Sequence, residues 1–132
     1  MLNIVVLVFV GGAVGAIARE ALMLSVPEVW HHFPLPIFLA NITASFLLGL
    51  TTGLHQRRAL SDNISAMIGT GIMGGLSTFS SFVFGAFVLM SAPTAGFVVA
   101  LIYVLASVGV GYAAVSLGLK IGAGRVPLQP QE

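Results

Sequence analysis

Ser77-Thr78-Phe79-Ser80-Ser81-Phe82 packs four hydroxyls and two phenyl rings into six consecutive positions. On a helix, Phe79 and Phe82 share a face at a spacing of three, and Ser77 stacks on Ser81 at a spacing of four. The edge of a phenyl ring is electropositive, and hydroxyl donors can replace the hydration that an ion loses. Together they suit a small anion better than a cation. Asn41, in Leu39-Ala40-Asn41-Ile42-Thr43-Ala44-Ser45-Phe46, offers a carboxamide of similar chemistry. It reads either as a donor in a vestibule or as a hydrogen-bonded link to a neighbouring helix. The match of Asn41-Ile42-Thr43 to a glycosylation sequon carries no meaning inside a membrane span. No Asp or Glu occurs between Asp62 and Glu132, which argues against carriers that couple transport to protons or cations through an intramembrane carboxylate.

Other polar residues are weaker candidates. Tyr103 and Ser107, four apart, could share a helix face, although core packing with a satisfied hydroxyl accounts better for Tyr103 by sequence alone. Arg19 follows eighteen uncharged residues, so snorkelling to the interface explains it more simply than attraction of an ion. The adjacent pair His31-His32 has no third ligand nearby and cannot point both rings the same way on a helix. With Trp30 it reads as part of an interfacial belt rather than a metal site. There is no cysteine, which excludes disulfides, thiolate zinc sites and cysteine nucleophiles.

The elements that position these residues follow from charge. Of 132 residues, 7% are charged and 58% hydrophobic, with a mean hydropathy of +1.07. So short a chain cannot cover a water-soluble globule, whose charged fraction is roughly a quarter. A soluble enzyme is excluded, and with Arg57-Arg58 the only basic pair, so is nucleic-acid binding. Residues 1–18, 29–56 and 63–119 carry no charge. A crossing takes about 20 residues, so the last stretch holds two, separated at Ser91-Ala92-Pro93-Thr94, with Ser91 as the expected N-cap of the second. The sequence predicts four transmembrane helices at about 3–25, 36–55, 63–90 and 94–119. They form one domain over residues 1–120, with 121–132 a disordered C-terminal tail. Ala16-Ile17-Ala18 resembles a signal cleavage site, but the segment before it lacks basic residues. Arg57, Arg58, Lys120 and Arg125 fall on one side against Arg19 on the other, favouring cytoplasmic termini.

At 28 residues, the third helix would be about 42 Å long, more than an untilted crossing needs. Gly74-Gly75-Leu76-Ser77-Thr78 is where it is expected to break, since paired glycines and following hydroxyls weaken helix preference. Non-helical backbone at that depth must be buried in protein or line a wet cavity. The competing reading is packing: Gly71 and Gly75 form a small-xxx-small pair, as do Gly11 and Gly15, and Gly49 and Gly53.

The segments Gly11 to Arg19, Asn41 to Leu50 and Gly71-Ile72-Met73-Gly74-Gly75-Leu76-Ser77-Thr78-Phe79-Ser80-Ser81-Phe82 resemble the Fluc (CrcB) family of fluoride channels, the last most specifically. Ser77 and Ser81 stand where threonine is common, Ala44 where glycine is frequent, and Glu20 where the family has an aromatic residue. The resemblance implies an all-α membrane protein of four helices, the third broken near its middle, assembled as an antiparallel dual-topology homodimer with two fluoride pathways. It places Asn41, Phe79, Ser80, Ser81, Phe82 and Tyr103 along the pathway and Arg19 in the vestibule. It also implies a structural sodium ion at the dimer centre, held by the main-chain carbonyls of Gly74 and Ser77.

The expected function is a fluoride-selective passive channel, not an enzyme, exporting the ion from the cytoplasm across the cell inner membrane. The alternative is a small four-helix exporter of cationic drugs, which would need an intramembrane carboxylate that the first helix lacks before Glu20. A packing subunit that transports nothing is a third reading.

Overall fold

The computed structural model describes residues 2–26, 33–93 and 96–124. Within them the chain is helical, with four stretches long and apolar enough to cross a membrane. Helix α1 spans Leu2–Ser25 and α2 spans Leu35–Gln56. Pro34 precedes α2 and Pro36 lies in its first turn, where a missing N–H costs nothing. The third crossing comprises α3 (Asp62–Ala66), a π-helical turn (Met67–Ile72), α4 (Met73–Leu76) and, past an interruption at Ser77 and Thr78, α5 (Phe79–Met90). The fourth crossing is α6, Gly96–Ala123.

Two boundaries differ from those expected. Helix α6 runs to Ala123, three residues into the expected tail, because Gly118 and Gly122 keep it packed on α2; residues 125–132 lie outside the described residues. Ser91 closes α5 instead of opening the next helix: its hydroxyl donates to Phe87 O at 2.9 Å, the i−4 carbonyl within reach on its own helix. Thr94, Trp30, His31 and His32 lie outside the described residues.

Glycines set the packing. Gly49 and Gly53 of α2 face Gly118 and Gly122 of α6 so closely that a methyl group on any of the four would strike the other helix's backbone, at Val115 O, Leu119 O, Phe46 O and Leu50 O respectively, or the atoms beside them. The same intimacy joins Gly11 and Gly15 of α1 to Gly71 and Gly75 of the third crossing. This is how small residues bring helices together where lipid offers no hydrophobic drive. The three pairs read from sequence all pack, and Gly118 with Gly122 completes the set.

The interruption lets one crossing change neighbours. Its first half, the π-helical turn and α4, packs on α1; its second half, α5, packs on α6; α2 touches both halves. Two small cores flank the junction. Ala44, Met73 and Leu76 form one, and Leu89, Ala100 and Tyr103 the other. Most remaining large apolar side chains face outward, Phe9, Phe84 and Leu105 among them, as lipid contact requires.

Candidate ion site at the helix break

Gly74 and Gly75 weaken the helix, and Asn41 ends it. In an unbroken helix the N–H of Thr78 would donate to the carbonyl of Gly74. Here it donates to Asn41 Oδ1 at 2.8 Å, while Asn41 Nδ2 donates to Thr78 O at 3.3 Å. Ser77 (φ −74°, ψ 151°) and Thr78 (φ −145°, ψ 109°) are extended. Thr78 then starts the next helix as its N-cap. Its Oγ1 accepts from Ser81 N–H at 3.2 Å and donates to Ser81 Oγ at 3.0 Å, with Ser80 Oγ 3.4 Å away. Phe82 N–H closes the turn on Thr78 O at 3.3 Å.

The electrostatics of the break follow. The helical stretch ending at Leu76 presents its carbonyl end, and α5 presents its amide end, at the same place. The first is partially negative and the second partially positive. Among the described residues the N–H groups of Phe79 and Ser80 find no acceptor, so two donors remain at the start of α5.

Beside the break lies an open cleft of about 250 Å³, lined by Asn41, Ser45, Ser77, Thr78, Phe79, Phe82, Ser107 and Val108. The Phe79 and Phe82 rings stand 6.1 Å apart at 37°. Phe82 stacks on Tyr103 at 5.3 Å, and Tyr103 meets the edge of Phe33 at 5.5 Å. Phe79 itself is 79% exposed. A second cleft of about 350 Å³ shares Ser45 and Ser77 with the first and adds Thr70 and Gly74.

A family model described as "CrcB-like protein, Camphor Resistance (CrcB)" matches residues 6–119. The chain belongs to the CrcB family. It is 54% identical to a fluoride-specific ion channel, FluC 3, of Yersinia pseudotuberculosis over 99% of this chain and 97% of that one. It is 40% identical to the fluoride-specific ion channel FluC of Ignicoccus hospitalis, over 84% of this chain and 88% of the relative. A Brucella melitensis relative named fluoride-specific ion channel FluC 2 is 51% identical over 92% of this chain, which covers 45% of that longer protein. With four apolar crossings and CrcB membership, the protein is a multi-pass membrane protein.

All six pathway candidates fall within the matched CrcB stretch, and the structure gathers three of them, Asn41, Phe79 and Phe82, on the first cleft. Ser80 and Ser81 do not line it but join Thr78 in its hydroxyl cluster. Tyr103 is fully buried behind Phe82, and its hydroxyl, expected to be satisfied, has no hydrogen-bond partner among the described residues. Ser107 lines the cleft while donating to Tyr103 O at 2.7 Å. Arg19 is half-buried in α1 and lines neither cleft. Of the two carbonyl candidates, Gly74 has lost its helical donor to Asn41, and a methyl group there would meet nothing within 4 Å. Ser77, in extended conformation, lies past the end of α4. No group of three His, Cys, Asp or Glu side chains that could hold a metal occurs among the described residues.

Sequence reasoning missed Ser45 and Thr78 as cleft residues. Ser45 sits four positions after Asn41 and so on the same helix face. Thr78 is of a residue type preferred at an N-cap and follows the glycine pair where the helix is expected to break. Both signals were in the sequence.

Proposed function

We propose that this protein is a passive, fluoride-selective channel that lets the ion leave the cytoplasm down its gradient across the cell inner membrane. The observation that carries the proposal is the cleft at the break. It combines amide and hydroxyl donors with two phenyl rings midway along a crossing, and among the described residues no carboxylate lines it. The FluC names of the CrcB relatives point the same way.

An anion entering the cleft loses water. Hydroxyl hydrogens, the free amides at the start of α5 and the electropositive ring edges of Phe79 and Phe82 replace it in part. Each contact is weak, and several succeed one another. A single strong site would trap the ion, whereas a series of weak ones passes it on. Ser80, Ser81 and Tyr103 contribute polar groups along this route, Asn41 borders it with its carboxamide turned to Thr78, and Arg19 attracts anions to its mouth.

The working unit is an antiparallel homodimer with two pathways. Support comes from the open side of the cleft: Phe79 and Gly74 stand at the surface, and polar backbone cannot face lipid. A second copy would cover it. The carbonyls of Gly74 and Ser77 fit a structural sodium ion, since hard oxygen donors without a competing amide suit a hard cation. Two carbonyls per chain leave the rest of the coordination to the partner copy. Bound there, sodium would supply positive charge and a fixed link between subunits.

The test is efflux from proteoliposomes read with a fluoride electrode, with chloride in parallel. The proposal expects fluoride release without any proton gradient and no comparable chloride release. Fluoride retained by liposomes containing folded protein, or release only under a proton gradient, refutes it.

A further inference from the structure

We propose that Asn41 is a positioning residue, whose carboxamide holds the third crossing open and thereby places the Phe79 and Phe82 rings; this rests on the channel reading above. Its Oδ1 and one Nδ2 hydrogen are both committed to Thr78, at 2.8 and 3.3 Å. A backbone N–H can only donate and a carbonyl can only accept. The orientation of the amide is therefore dictated by Thr78 and cannot be reversed. Asn41 pairs with Thr78 as a neighbouring strand would, supplying the two hydrogen bonds that a residue leaving a helix inside a bilayer has no water to provide.

The consequences run in both directions along the chain. Upstream, Thr78 N–H no longer caps Gly74 O, so that carbonyl is freed. Downstream, Thr78 is held extended (φ −145°), which aligns its hydroxyl to receive Ser81 N–H and starts α5 at Phe79. The axis of α5, and with it both rings, depends on where Thr78 is pinned. Asn41 reaches Thr78 from α2, which contacts both halves of the crossing and is locked to α6 by the glycine pairs. It is a fixed post.

Two measurements on the full chain test this. The first is site-resolved amide exchange at Thr78 in fluoride-free nanodiscs, comparing wild type with Asn41→Ala. Loss of one directed hydrogen bond should speed exchange at Thr78 by roughly tenfold, while Ala100 and Ala114 in α6 stay protected, showing that the variant is folded. Unchanged exchange at Thr78 overturns the proposal. Because no fluoride is present, this result does not depend on the channel reading. The second is a double-mutant cycle on fluoride efflux with Asn41→Ala and Phe82→Ile. If Asn41 acts through ring placement, the combined loss is clearly smaller than the product of the single losses. Independent, multiplying losses mean that Asn41 serves the ion directly and overturn the proposal. A wild-type protein that passes no fluoride would instead sink the channel reading and leave the exchange result standing.

Discussion

Tyr103 exposes the sharpest tension between folding and function. A fully buried hydroxyl without a hydrogen-bond partner among the described residues loses its hydration and regains nothing from them, a deficit of about 1–3 kcal/mol. Removing the oxygen while keeping the ring should therefore not weaken the fold. Tyr103→Phe is expected to leave the thermal unfolding midpoint in detergent unchanged or raised, because the ring still stacks on Phe82 and Phe33. If the hydroxyl serves the proposed polar route, fluoride efflux should nevertheless fall. A lowered midpoint with normal efflux would assign the hydroxyl a structural bond and remove it from the pathway. Three of the residues that line the cleft were readable beforehand. Phe79, Phe82 and Asn41 announce themselves as paired rings and an amide in apolar surroundings. That Asn41 spends its amide on Thr78 was not readable, because the partner lies 37 positions away and one hydrogen bond, not a pattern, makes the link.

Elements in this protein are fixed by what lacks a side chain. The four-glycine contact between α2 and α6 leaves no space for a Cβ. Gly49→Val is expected to destabilise the fold by about 1–3 kcal/mol through overpacking. Gly109 of α6, by contrast, has nothing within 4 Å of an added methyl. Gly109→Ala should be neutral or stabilising by up to about 1 kcal/mol, through helix propensity alone. Equal midpoints for the two variants in thermal denaturation would contradict this packing. The crossings themselves were legible because charges mark their ends, and the break was legible because adjacent glycines sit in a helix too long for the bilayer. The π-helical turn at Met67–Ile72 was not. There Met73 N–H reaches back to Ile68 O, and the widened turn belongs to the tight seat of Gly71 against Val8 and Gly11. Such a register shift is decided by a tertiary contact, and neither hydrophobic period nor composition records it.

For the whole molecule, the break is what allows four helices to make a half-open polar cleft without a polar crossing. One crossing serves α1 with its first half and α6 with its second, leaving donors and rings at an exposed junction that a second copy can close. If that copy is antiparallel, a tag at the C-terminus should be accessible from both sides of the membrane, about half on each, when the protein is made in cells. Tags confined to one side would contradict the antiparallel arrangement. The asymmetry of basic residues, with Arg57, Arg58, Lys120 and Arg125 opposite Arg19, makes this a demanding test.

Fluoride efflux from proteoliposomes holding Phe79→Ile or Phe82→Ile, with the oligomeric state of each variant checked in parallel, tests whether the ion passes the paired rings. If anions pass the break along the ring edges, an aliphatic side chain of similar bulk keeps the assembly intact and slows fluoride markedly at one or both positions. Wild-type flux in both intact variants would show that the ion takes another route.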